Sequence, residues 1–210
     1  MDSSYERISR SKLFGLGEII WDLMSLSLLW ILFSLPIVTS GAASAALYYA
    51  VRRRFQLGFS TPAKDFMKSF KQNLKQGLII NLIFMIYGSI TGFNLYIALH
   101  GFGGITLPEG YLPIAILLTL PILIFYPLTF PYLSRFDIDT KHTLMNSALL
   151  TLMNPLKAIV IWIYMLVTFA AMILFPPCAL IAPAGITFVI MRMIEKIFSA
   201  ATDKEEQEDA

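Results

Sequence analysis

Apolar residues in this chain fall in long unbroken blocks rather than in the short alternations of a half-buried sheet. The first block covers residues 19–35 and runs into Leu35-Pro36-Ile37-Val38-Thr39-Ser40-Gly41, where Pro36 lacks a donor and Gly41 loosens the backbone. A second, shorter block at 42–51 stops at Arg52-Arg53-Arg54. Longer blocks follow at 78–99, 112–133 and 158–175, the last continuing through Pro176-Pro177 to 178–194. At about 1.5 Å per residue the long blocks measure roughly 25–33 Å as helices, enough to cross a bilayer. Lipid offers no partner to an unpaired strand edge, so these blocks are expected to be helices. The pattern predicts an all-α, polytopic transmembrane helix bundle of five to six membrane segments with a Pro/Gly-broken first hairpin. Residues 1–18 read as a cytoplasmic tail, 19–199 as a single transmembrane domain, and 200–210 as an acidic disordered tail.

Composition agrees with this. The 210 residues are 57% hydrophobic and only 14% charged, with a mean hydropathy of +0.68, against about 45–50% apolar and 25% charged in soluble domains. A net charge of +2 gives no basis for nucleic-acid binding. The block at 19–38 exceeds the length of a signal-peptide core, so it reads as a retained anchor.

Charge placement orients the helices. Arg52, Arg53, Arg54, Lys64, Lys68, Lys71 and Lys75 lie between the second and third blocks, whereas the 101–110 loop holds no Lys or Arg. Arg135, Lys141 and Lys157 occupy the 134–157 loop, and Arg192 and Lys196 close the last block. Basic connections alternate with connections that hold no Lys or Arg, which places the basic ones and the C-terminus in the cytoplasm. Residues 19–51 allow two arrangements. A single crossing leaves the tail with Arg7, Arg10 and Lys12 outside, and a hairpin turning at 36–41 keeps both ends inside. The second arm is short and rich in small residues (Gly41, Ala42, Ala43), which favours a hairpin packed against protein.

Thr61-Pro62 opens the best-formed amphipathic helix, about 62–76. Lys64, Lys68, Lys71 and Lys75 recur at i, i+4, i+7 and i+11 on one face, with Phe66, Phe70, Leu74 and the nearby Asn73 off that stripe. Such a helix either lies on an anionic leaflet or docks on a partner. Within the long blocks the polar and small positions are Asn81, Gly88, Gly92 and Asn94, which suit close helix packing and a hydrogen bond across an interface. Pro121, Pro127 and Pro131 each free a carbonyl one turn earlier. Tyr126, Tyr132, Trp162 and Tyr164 are the aromatic residues that could stack on a sugar.

Catalytic signatures are missing. No phosphate-binding loop, HExxH, GxSxG or CxxC occurs, and Cys178 is the single cysteine. His100 and His142 fall in separate regions, and Asp137 and Asp139 read as solvated or helix-start charges. The chain is expected to be no enzyme and to hold no cofactor or metal.

The segment from Leu35-Pro36-Ile37-Val38-Thr39-Ser40-Gly41-Ala42-Ala43 to Ala46-Leu47-Tyr48-Tyr49 resembles the N-terminal signature of the YesL family. Asp65-Phe66 through Phe70-Lys71-Gln72-Asn73 resembles that family's second pattern, F-x-x-x-F-x-x-N ahead of a span. Members are bacterial membrane proteins of unknown function, often encoded beside carbohydrate ABC-transporter genes. The resemblance implies a non-enzymatic accessory or regulatory protein of a carbohydrate uptake system in the bacterial cytoplasmic membrane. Its implied partners are the lipid bilayer and sugar ABC-transporter subunits, alongside self-association into a homo-oligomer. The 134–157 segment carries no match to the E-A-A-x-x-x-G coupling motif of standard permeases, which argues against the translocating subunit itself. The competing expectation is an autonomous small-solute transporter or channel acting as an oligomer.

Overall fold

A computed structural model describes the backbone of residues 3–58, 61–101 and 108–208, and side chains within 15–58, 61–101, 108, 110–201. The tail residues Arg7, Arg10 and Lys12, most of the 101–110 loop and the acidic side chains after Ala201 lie outside the described side chains. Among the described residues there are helices and no strand: α1 Ser3–Ser34, α2 Ser40–Phe55, α3 Pro62–His100, α4 Leu112–Arg135, α5 Thr140–Met153, α6 Pro155–Leu174 and α7 Ala182–Glu208. Four of them are long and apolar enough to cross a membrane: Gly15–Ser34 of α1, then α3, α4 and α6. The chain is thus an all-helical membrane protein.

Residues 19–51 form the hairpin. A 3-10 turn at Ile37–Thr39 follows Pro36, closed by the Thr39 N–H donating to the Pro36 carbonyl, and Thr39 Oγ1 donates to the Phe33 and Pro36 carbonyls. The Trp30 indole N–H donates to Ser44 Oγ at 3.1 Å near the tip, while Asp22 meets Arg54 at the open end. Contacts in that order require α1 and α2 to run antiparallel.

The short arm is the centre of the bundle. Ala42, Ala43, Ala45, Ala46, Ala50 and Val51 are fully buried, with α1, α3, α4 and α7 packed around α2. A helix this poor in large side chains binds through backbone proximity, where small residues let neighbours approach closely. The closest approach is between Gly41 and Gly77. A Cβ on Gly77 would lie 2.8 Å from the Ala42 Cα, and one on Gly41 would lie 2.5 Å from the Phe130 ring and 2.8 Å from the Gly77 carbonyl.

Three connections differ from the sequence expectation. The amphipathic stretch 62–76 and the apolar block 78–99 are one helix, α3, of 39 residues, because no proline or capping signal separates them. The 134–157 segment is largely helical: α5 folds back along α4, joined by Thr129 Oγ1 to Ser147 Oγ at 3.0 Å and by Asn146 to the Tyr132 hydroxyl at 3.1 Å. The break before α6 comes at Asn154-Pro155, since Pro155 cannot continue α5. Finally, α7 stays helical to Glu208, into the acidic segment whose composition predicts disorder.

Candidate functional site: a charged end and an apolar cavity

Arg52, Arg53 and Arg54 end the central helix, where cations suit the helix dipole. Successive residues on a helix project about 100° apart, so the three side chains reach three different neighbours. Arg52 Nε lies 2.9 Å from Glu195 of α7, and Arg53 Nε lies 3.2 Å from Asp65 of α3. Arg54 pairs with Asp22 of α1 and stands 3.9 Å from Glu18. The Arg52 and Arg53 Nε–H groups are close to their carboxylates but not aligned as hydrogen bonds. Arg53 Nη1 also donates to the Tyr49 hydroxyl at 3.1 Å.

Glu195 is the hub of this end. It is buried, accepts a 2.7 Å hydrogen bond from the Tyr48 hydroxyl, and also faces Arg135 of α4 at 3.6 Å. One carboxylate therefore ties α2, α4 and α7, and removing one member of a buried pair typically costs about 3–5 kcal/mol. Sequence reading treats the arginine run as an orientation signal alone. The missed clue is that Asp22 and Glu195 each stand at or near an end of an apolar block, while Asp65 is the one acidic residue of the lysine-rich 62–76 stretch.

The lysines behave differently. Lys64, Lys68, Lys71 and Lys75 are exposed, and no carboxylate lies within ion-pair distance of them among the described residues. Ala63, Met67 and the first three lysines line a shallow surface groove. Phe66 and Phe70, expected on the lipid or partner face, are instead buried against Phe33 of α1, with ring centroids 5.9 and 4.6 Å away. Asn73 bonds back to Ser69 within its own helix.

Helix continuity decides how the lysine stripe meets the membrane. At 39 residues α3 is about 58 Å long, roughly twice the hydrocarbon thickness. A helix lying flat in the headgroup layer would have to turn sharply before crossing. No proline interrupts α3, so residues 62–76 continue the helix of the 78–99 span rather than forming a separate element.

The polar positions of α3 divide. Asn81 is buried and donates to the Ile37 carbonyl at 2.7 Å and the Val38 carbonyl at 3.1 Å, so it fastens the hairpin tip. Gly88 faces Ile122 of α4, where a Cβ would sit 3.4 Å away, while a Cβ on Gly92 would meet nothing within 4 Å. The two glycines are not one packing pair. Asn94 donates to the Tyr111 hydroxyl at 2.7 Å, and its buried Oδ1 has no partner among the described residues.

A cavity of about 480 Å³ opens between α4, α6 and α7, with α1 and α2 behind it. The α4 prolines help shape it. Pro127 cannot bond to the carbonyl one turn back, and the Trp162 indole N–H supplies that bond, donating to Leu123 O at 2.9 Å. Trp162 also stacks on Tyr126, with centroids 5.6 Å apart. The four candidate sugar-stacking aromatics do not converge. Tyr132 packs on Phe136 and Phe198, and Tyr164 is absent from the cavity lining.

Sequence comparison adds a partial match to one family and no activity. Residues 23–95 match DUF624, a protein family of unknown function. That match covers α1 from Leu23, the hairpin, the arginine run and most of α3, about a third of the chain. No curated protein and no solved structure matches the chain.

Among the described residues no group of three His, Cys, Asp or Glu could hold a metal ion. At the start of α5 His142 contacts Asp139 and holds its carboxyl below the ordinary value.

Proposed function

We propose that this chain is a non-enzymatic accessory or regulatory subunit of a carbohydrate uptake system in the bacterial cytoplasmic membrane. The match to DUF624 is compatible with the YesL resemblance, and that resemblance supplies the sugar-uptake context. The observation that carries the reading is the lysine stripe: four exposed cations with no ion-pair partner among the described residues, on a helical extension of a membrane span, beside arginines already engaged by internal carboxylates. An exposed lysine stripe that continues a span presents its charge beside the membrane, where an acidic surface of a transporter ATPase or permease would receive it. In this reading the arginine end, the lysine stripe and both termini face the cytoplasm, following the positive-inside rule.

A deletion strain tests the proposal. Impaired growth on one glycan class is expected, restored by the wild-type chain and not by one with Lys64, Lys68, Lys71 and Lys75 changed to Gln. Unchanged uptake of every glycan tested would refute it. The cavity favours a second reading, an autonomous small-solute transporter acting as an oligomer. It requires solute flux in liposomes that contain this protein alone.

A further inference from the structure

We infer that the cavity between α4, α6 and α7 is a binding site for one anionic phospholipid, its acyl chain in the cavity and its phosphate against Arg52 and Arg135. The cavity is bounded by α4 and α6, both apolar enough to cross a membrane, so bilayer lipid is what reaches it. Most of its polar lining groups are already occupied, the Tyr126 hydroxyl being the exception among the described residues. Trp162 donates to Leu123 O, Thr168 to Tyr164 O, Thr187 to Pro183 O, and Trp30 to Ser44. Water needs two to four polar partners to reside in a cavity, and these walls leave it few. An apolar chain meets no such shortage and restores the dispersion contacts an empty cavity would lose.

The charge at one end selects the headgroup. Tyr48 and Pro131 line the cavity, and Arg52 and Arg135 follow them by four residues on the same helices, which stacks each arginine one turn beyond the wall. Thr187 of α7 also lines the cavity, and Glu195 follows two turns later. Next to the cavity, Arg52 and Arg135 share the single carboxylate of Glu195 among the described residues. Arg135 retains 32% side-chain exposure, so it is reachable from outside. A phosphate beside the pair answers the unmatched positive charge, and a zwitterionic headgroup would bring its own cation into the same place.

The test compares phosphatidylglycerol with phosphatidylcholine. Purified protein in mild detergent is titrated with each lipid, and the bound lipid is counted by native mass spectrometry. About fivefold preference for phosphatidylglycerol is expected. Arg135→Gln is expected to bring the ratio near one, and Met165→Trp, which fills the cavity, to lower retention of both lipids. A companion measurement avoids core variants. In a Trp21→Phe background, brominated-chain phosphatidylglycerol diluted into ordinary lipid should quench Trp30 and Trp162 at least about twofold more than brominated phosphatidylcholine. Equal quenching, or equal retention of the two lipids by the unaltered protein, would overturn the proposal. So would a phosphatidylglycerol preference that neither variant changes.

Discussion

Gly77→Ala isolates the contact on which the bundle is built. Gly77 and Gly92 lie in the same helix, and alanine at either position gains about 1 kcal/mol of helix propensity. Only the tertiary surroundings differ. At Gly92 the new methyl meets open space, so the propensity gain is kept. At Gly77 it would sit 2.8 Å from the Ala42 Cα and 2.9 Å from its Cβ and N, against ordinary contact at 3.4–4 Å. No side-chain rotation relieves a clash with backbone, so α2 and α3 must separate by roughly 0.6 Å or more. That separation also loosens Gly41 against the Gly77 carbonyl and the Asn81 hydrogen bonds to the hairpin tip. Overpacking of this kind costs about 1–3 kcal/mol. Gly77→Ala should therefore melt about 2–12 °C below Gly92→Ala. Thermal unfolding of both variants in detergent, followed by size-exclusion chromatography, measures the difference. Equal melting temperatures, or a more stable Gly77→Ala, would refute the close α2–α3 packing.

Other expectations follow from the same geometry. Glu195→Gln leaves Arg52 and Arg135 facing a neutral amide and should destabilise the protein by about 3–5 kcal/mol in a denaturant titration. Asn81→Leu removes the donor to the Ile37 and Val38 carbonyls and should cost about 1–3 kcal/mol by the same assay. Trp162→Phe should cost a similar 1–3 kcal/mol by orphaning the Leu123 carbonyl, whereas Trp162→Phe combined with Pro127→Ala should recover part of that loss, because alanine supplies the missing N–H. Asp139 is expected to titrate below 3.8, because His142 favours its ionised form. Any stability it contributes is present above its unfolded value and is lost as pH falls through the lower folded one. His142→Ala should return the titration to the ordinary range, as read by carboxyl NMR.

What the sequence made legible was governed by local rules. Block length and the Pro36–Gly41 break predicted helices and the hairpin, because both depend on backbone chemistry within a few residues. The stop at Arg52 and the uncharged spans were equally plain. Side-chain destinations were harder to read. Whether Arg52, Arg53 and Arg54 serve as orientation charges or as ties to three helices depends on which helices surround α2, and one sequence does not encode that in any short window. The same limit applies to Phe66 and Phe70, apolar and on the expected face, but occupied by Phe33 of α1 instead of lipid. Helix α5 was hidden because its polar faces, Thr143 and Ser147, are buried against α4 while Met145, Leu149 and Leu152 are exposed, the reverse of a soluble helix. The cavity has no sequence signature beyond the α4 prolines that shape it.

The central claim is that the lysine stripe docks this chain on a sugar transporter. Its most direct test is affinity purification of the tagged protein from gently solubilised native membranes, with partners identified by mass spectrometry. Stoichiometric recovery of a sugar ABC permease or its ATPase, lost when Lys64, Lys68, Lys71 and Lys75 are changed to Gln, is the predicted result. Recovery of the protein alone as a homo-oligomer, or of the transporter equally with both versions, would contradict the account.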